Sequence, residues 1–259
     1  MTRTARPILR IAALASGVAL GAAGCTSGGS HADGTPASAP VSASATASAT
    51  VSAPASTAAA QPAAPLTAAQ LEGAALSAAD IPAGFSVSAA SSDEAFFASA
   101  SDTAKPASCQ PIADMGADDG AIRPTATADN NYLQSARAAD LVFGRIAAYR
   151  AGDAEKALAD LRTALKSCTS YRSTTKSDGT VTAVTTRALP APSLGDAAVA
   201  FELTGTSGGK AMVIRMTEIR VGSSLVLFAG LRVHGTGAAD IPAALMAQQV
   251  DNLKAAASS

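Results

Sequence analysis

Polar and apolar positions change character twice along the 259-residue chain. After a start that carries Arg3, Arg6 and Arg10 and no acid, Ile11 to Ala23 is apolar or small throughout. From Thr26 to Pro65 the chain is almost wholly Ser, Ala, Thr, Pro, Gly and Val, with Asp33 as its one charge and His31 nearby. No large aliphatic residue follows until Leu66, where regular periods begin. Thr67-Ala-Ala-Gln70 has the form of a capping box and predicts a short helix with Leu71, Ala75 and Leu76 on one face. Ser77 to Gly84 ends that helix and leads into an extended Phe85 to Ser88. Pro106 predicts the start of a second helix, with Cys109, Ile112 and Met115 spaced by three. Gly116 to Asn131 reads as a loop and Leu141 to Tyr149 as a strand.

The strongest helical period runs from Asp153 to Cys168, where Ala154, Ala157, Leu158, Leu161, Leu165 and Cys168 recur at steps of three and four. Asp153 suits the N-cap, Glu155 the first turn and Lys166 the last. Strand periods follow. Tyr171–Thr175 and Val181–Leu189 flank Asp178-Gly179, a hairpin signal. Val199, Phe201 and Leu203 alternate with smaller or polar residues. Met212, Ile214 and Met216 do the same until Thr217, after which Ile219 and Val221 take the other phase, a pattern that predicts a bulge. Gly222-Ser223 predicts a tight turn before a last strand with Leu225, Leu227, Ala229, Leu231 and Val233 on one face. Asp240-Ile-Pro242 is expected to cap a final helix with Leu245, Met246, Gln249, Val250 and Leu253 on one side. The expected class is α+β: a meandering antiparallel sheet with helices packed on one face and one disulfide.

The first segment has the basic start and short apolar core of an export signal, too short to remain as a transmembrane helix. Ala22-Ala-Gly-Cys25 at its end resembles the bacterial lipobox, with Ala22 where leucine is commoner. The resemblance implies that residues 1–24 are removed and that Cys25 is lipidated; two acyl chains then hold the protein to the cell membrane on its extracytoplasmic side, where one would not. The alternative is an ordinary secretory signal with a chance cysteine. Residues 25–65 form the expected tether: such a composition cannot bury enough apolar surface to offset the entropy of ordering it. As a flexible coil it would reach roughly 35 Å. Its Ser, Thr and Pro content suits an inert spacer or O-glycosylation. Residues 66–259 are expected to form one domain.

Composition narrows the options. Loss of the leader's three arginines leaves 16 basic against 20 acidic residues, a net charge of −4. No basic stripe suits nucleic acid and no polybasic patch suits anionic lipid. With Cys25 acylated, Cys109 and Cys168 remain, and an exported domain with two thiols most often pairs them. Two buried free thiols and a metal site are the alternatives, the latter with no C-x-x-C and only His234 in the domain.

Few residues carry candidate chemistry. Gly205-Thr-Ser-Gly-Gly209 matches G-x-S-x-G, yet a nucleophile elbow at Ser207 needs a helix after the serine, and strands are expected on both sides. Gly208-Gly-Lys210 lacks the leading glycine and the following Ser/Thr of a phosphate loop. His234 could line a cleft or stand solvated at a strand end. Asp114, Asp118 and Asp119 precede Gly120 without the spacing of a calcium loop and read as a solvated acidic loop. No motif implies a cofactor.

Three further stretches carry a family resemblance: Leu76-Ser-Ala-Ala-Asp-Ile-Pro-Ala-Gly-Phe85, Ala157 to Leu165 leading into Cys168, and Leu189-Pro190 with Leu194-Gly-Asp196. Together they are similar to the extracellular sensor domain of actinobacterial serine/threonine protein kinase H and the free lipoproteins related to it, over Leu66 to Ala256. The resemblance implies a sheet with helices around a cleft, disulfide staples and ligand sensing without catalysis. The kinase version has two disulfides where one pair is possible here, and a tryptophan where this chain has Leu165. The expected function is a non-enzymatic, membrane-anchored lipoprotein that binds a small molecule or envelope component, its ligand residues unassigned. An extracytoplasmic hydrolase and a wall-associated interaction protein are the alternatives.

Overall fold

The computed structural model describes residues 64–90, 96–97, 101–134, 140–207, 209–232 and 237–259. Its centre is a nine-stranded antiparallel sheet. In chain order the strands are β1 (Phe85–Ala89), β2 (Thr103–Lys105), β3 (Ala126–Gln134), β4 (Asp140–Ala148), β5 (Ser170–Thr174), β6 (Val181–Leu189), β7 (Ala197–Ser207), β8 (Lys210–Val221) and β9 (Ser224–Arg232). The helices are α1 (Ala68–Ala74), α2 (Gln110–Ala113, extending a 3-10 turn at Ala107–Cys109), α3 (Asp153–Ser167) and α4 (Ala243–Ala257). Across the sheet the strands run β1-β3-β4-β9-β8-β7-β6-β5-β2. The chain leaves β4, passes through α3 to the far side, and meanders back through β5 to β9, which pairs with β4 from Asp140↔Arg232 to Ala148↔Ser224.

The expected α+β class and antiparallel sheet are therefore observed, with Cys109 and Cys168 joined in a disulfide, Cα to Cα 5.5 Å. The bond ties the turn before α2 to the residue that caps α3. The helices, however, cover both faces of the sheet rather than one. Leu158, Leu161 and Ala164 of α3 pack on Leu225, Leu227, Ala229, Phe201 and Met216. On the opposite face, Leu71 of α1 and Leu245, Val250 and Leu253 of α4 pack on Val226, Phe228, Ile219 and Val142. The reason lies in β9. It is central, and Ser224 to Gly230 is buried without a break. A strand apolar on both faces requires a cover on each.

Local chemistry explains most element ends. The α1 capping box forms as expected: Thr67 Oγ1 accepts from Gln70 N at 3.3 Å, and Gln70 Oε1 accepts from Thr67 N at 3.0 Å. Gln249, buried on α4, donates from Nε2 to the carbonyl of Ala74 at 2.8 Å, so one helix satisfies the open end of another. Gly152, not Asp153, is the N-cap of α3, because the turn before the helix needs φ +84° there. Asp153 and Glu155 sit instead in the first turn. Pro242 precedes α4, and Asp240 pairs with Arg215 rather than capping. At Gly230 a Cβ would strike the backbone of Ala239, which crosses β9 on its way to α4.

Two strand-level expectations change. Residues 126–131, read as loop, belong to β3, which pairs with β1 on one side and β4 on the other. Asp129, Asn130 and Asn131 are poor strand formers, and pairing on both sides overrides them. No bulge interrupts β8, whose ladders with β7 and β9 are continuous. The phase changes because Ile219 and Val221 bury on the α1/α4 side, while the positions that share Met216's phase after it hold Glu218 and Arg220.

Candidate functional site

Two openings adjoin the face of the sheet that α3 covers. Fifteen helical residues span about 22 Å, whereas the longest strands beneath, β7 and β8, are nearly twice that. The uncovered end of β5 to β8 is flanked instead by α2 and by Phe96-Phe97, leaving a groove of about 400 Å³. Val184, Leu203, Ile214 and Met216 line its sheet side; Ile112 and Met115 line the side of α2 and its following turn. Phe96 is stacked on Phe143 with centroids 4.5 Å apart and meets Phe97 edge to face at 5.0 Å. Aromatic pairs of this kind hold a wall in place. Met212, unusually exposed for its type, lies at the hairpin end of the groove. The polar lining is at the other side: Ser173 donates to Asp102 at 2.7 Å, and Tyr171, whose phenol burial pushes up, stands beside them. An apolar trough with a small polar edge suits a small amphiphilic or apolar ligand.

The second opening is a cavity of about 60 Å³ between α3 and the sheet. It is lined by Ala157, Asp160 and Leu161 of α3, by Asp114 and Met115 after α2, and by Tyr149, Leu225 and Glu218. Glu218 is 5% exposed. Burial alone, without a hydrogen bond or charge to offset it, pushes its carboxyl up to about 7. Tyr149 is raised as well, by burial first and by Glu218 second. Sequence reasoning missed both. The available signal was the single glutamate of β8, at the place where the alternation changed phase.

Next to this lies a buried ion pair. Arg145, 3% exposed, donates from Nε and Nη2 to the two carboxylate oxygens of Asp129 at 2.7 and 2.8 Å, and from Nη1 to Asp118 at 2.9 Å and to the carbonyl of Gly116. Asp129 and Arg145 face each other across the β3–β4 ladder.

The acidic residues singled out in the sequence do not converge. Asp118 serves Arg145. Asp119 accepts from Ser101 N and from Lys176, and these bonds hold its carboxyl down at about 2. Asp114 accepts from Gln110 Nε2 at 2.7 Å and Ala121 N at 3.0 Å and lines the small cavity. They are loop fasteners rather than a merely solvated cluster, and among the described residues no group of three His, Cys, Asp or Glu could hold a metal. Ser207 ends β7 opposite Lys210, in a strand-to-strand hairpin, which is not the geometry of a nucleophile elbow. Cys25, His31 and His234 lie outside the described residues. Among the described residues no helix is long and apolar enough to cross a membrane.

No protein-family model matches the chain, and no curated protein matches it significantly. Among solved structures, the chain is similar to the extracellular domain of PknH from Mycobacterium tuberculosis, with a TM-score of 0.49 and 11% identity over 75% of this chain and 97% of that one. It is also similar to an uncharacterised protein of Mycobacterium smegmatis, an ortholog of Rv0999, with a TM-score of 0.35 and 11% identity over 74% of this chain and 93% of the other. At 11% identity neither likeness transfers a side chain to this chain.

Proposed function

We propose that this protein is a lipid-anchored, extracytoplasmic binding protein, without catalytic activity, whose domain takes a small amphiphilic or apolar molecule of the cell envelope into the groove beside α2. The observation that carries the reading is the groove itself: about 400 Å³ of trough, walled by Phe96 and Phe97 and lined by the apolar ends of β6 to β8. Monomeric domains seldom leave such a concave apolar surface without an occupant. The lipobox-like Cys25 and the Ala/Ser/Thr/Pro stretch support a tethered position outside the membrane. A disulfide across 59 residues fits an oxidising compartment.

The test uses protein carrying Cys25→Ser, which needs no detergent, exported by the producing organism and examined by native mass spectrometry. A non-protein mass should accompany the chain and be lost from Leu203→Arg, which puts a charge in the trough. A bare mass for the unsubstituted groove, together with no saturable uptake of long-chain fatty acids or lysophospholipids, overturns the proposal.

A further inference from the structure

Glu218 is an expensive residue where it stands. Its two cross-strand neighbours are Val199 on β7 and Leu227 on β9, so neither flanking strand offers it a charge. It is 95% buried beneath α3, and no described residue donates a hydrogen bond to it. A buried ionisable group without a partner costs folding free energy and is kept where something else completes it. The side chain lines the cavity of about 60 Å³, and the buried Tyr149 lines the same space. Neither the Glu218 oxygens nor the Tyr149 hydroxyl is fully enclosed, since Arg215 Nε is the one fully enclosed unpaired side-chain atom among the described residues; both open on the cavity without a hydrogen-bond partner.

The groups facing that space have one sign. Asp160 comes from α3, Asp114 from the turn after α2 and Glu218 from β8, and no lysine or arginine lines it. Lys156 meets Asp160 at the exposed surface of the helix, and Arg145 is committed to Asp129 and Asp118. The remaining walls, Ile122, Leu161 and Leu225, are apolar. The carboxylates do not converge closely enough for a metal ion. An acidic recess with apolar sides and a phenol calls for a cation that brings its own hydrogen-bond donors and a short carbon stem.

We propose that the cavity beneath α3 is a binding site for a protonated primary amine, with the Glu218 carboxylate as its counter-ion, Tyr149 as a second polar contact and Asp114 and Asp160 setting the potential at the entrance. Its volume takes an ammonium group and a short alkyl stem, not an extended amphiphile. The cavity adjoins the apolar groove at Met115, which lines both, yet it is too small for the groove's ligand and its existence does not depend on what the groove holds. Binding is coupled to protonation: the ammonium ion selects the ionised carboxylate, so below neutral pH each amine bound releases close to one proton from Glu218.

The experiment uses the full chain with Cys25→Ser, labelled with 13C at the glutamate carboxyls, in phosphate rather than an amine buffer. The Glu218 resonance is assigned by its loss in Glu218→Gln. Propylammonium is the probe and 1-propanol the uncharged control. Saturating propylammonium should lower the apparent pKa of Glu218 by one or more, a tenfold or greater preference for the ionised form, while propanol leaves it unmoved. Glu218→Gln should weaken amine binding at least tenfold, and Tyr149→Phe should weaken it by less. A Glu218 titration unmoved by amine at 100 mM overturns the proposal, as does an equal response to propanol. If Glu218→Gln does not fold, the comparison of amine and alcohol on the unsubstituted residue decides alone, with specific 13C labelling of the other glutamates by substitution giving the assignment.

Discussion

Replacing Glu218 by glutamine should make the protein more stable at mildly alkaline pH and leave it almost unchanged at mildly acidic pH. Burial raises the carboxyl from 4.5 to about 7 in the folded state, and no interaction counters it. Between those values the folded chain holds a proton that the unfolded chain has already lost. Stability therefore falls as pH rises through this window and is level above it, the reverse of the behaviour of a salt-bridged carboxylate. At roughly 1.4 kcal/mol per pH unit, the gap is worth about 3 kcal/mol. Glutamine occupies nearly the same volume and does not ionise. Urea unfolding of wild type and Glu218→Gln, measured from pH 4.5 to about pH 8 without amines, isolates this residue because every other titrating group cancels in the difference. The two curves should meet near pH 4.5 and separate by about 3 kcal/mol by pH 8, with the variant above. Parallel curves would refute the reasoning, for they would mean that Glu218 is ionised at its ordinary pKa and that a counter-charge or water reaches it.

Other substitutions probe the framework. The double change Cys109→Ala/Cys168→Ala opens a loop of 59 residues and should cost about 4 kcal/mol in denaturant unfolding; a loss below 1 kcal/mol would mean that the turn before α2 is held by packing alone. Arg145→Ala leaves Asp129, 13% exposed, without its bidentate partner and should destabilise by about 3 kcal/mol, whereas Arg145→Met/Asp129→Leu should recover most of the loss. Equal losses in the single and double variants would contradict that account. Cys25→Ser should move the protein from the carbonate-washed membrane fraction to the culture medium; retention on the membrane would rule out the lipid anchor.

The legible parts of the fold are those whose period survives in the sequence. α3 and α4 keep three- and four-residue spacing over fifteen residues each, and every residue expected on the inner side of α4 is buried. β7 to β9 alternate clearly enough to give the strands and the Gly222 turn. β3 was hidden because Asp129-Asn-Asn131 carries no strand preference and is held by neighbours distant in sequence. The groove was foreshadowed only as a cleft implied by resemblance, since its walls come from four separate stretches: Phe96-Phe97, α2 with its following turn, β5–β6 and β7–β8.

Local chemistry fixed the capping box at Thr67, the amphipathic stripe of α3 and the tight hairpins, because each needs only neighbours in the chain; a count of cysteines made the pairing of Cys109 and Cys168 an expectation, which the structure meets. Tertiary structure alone decided that helices lie on both faces, that Arg145 serves two aspartates, and that Glu218 is roofed by α3 beside Tyr149. Those outcomes depend on which surface meets which after β4 crosses to β5. The cost of burying a carboxyl is set by what surrounds it in space, and a sequence position does not specify that.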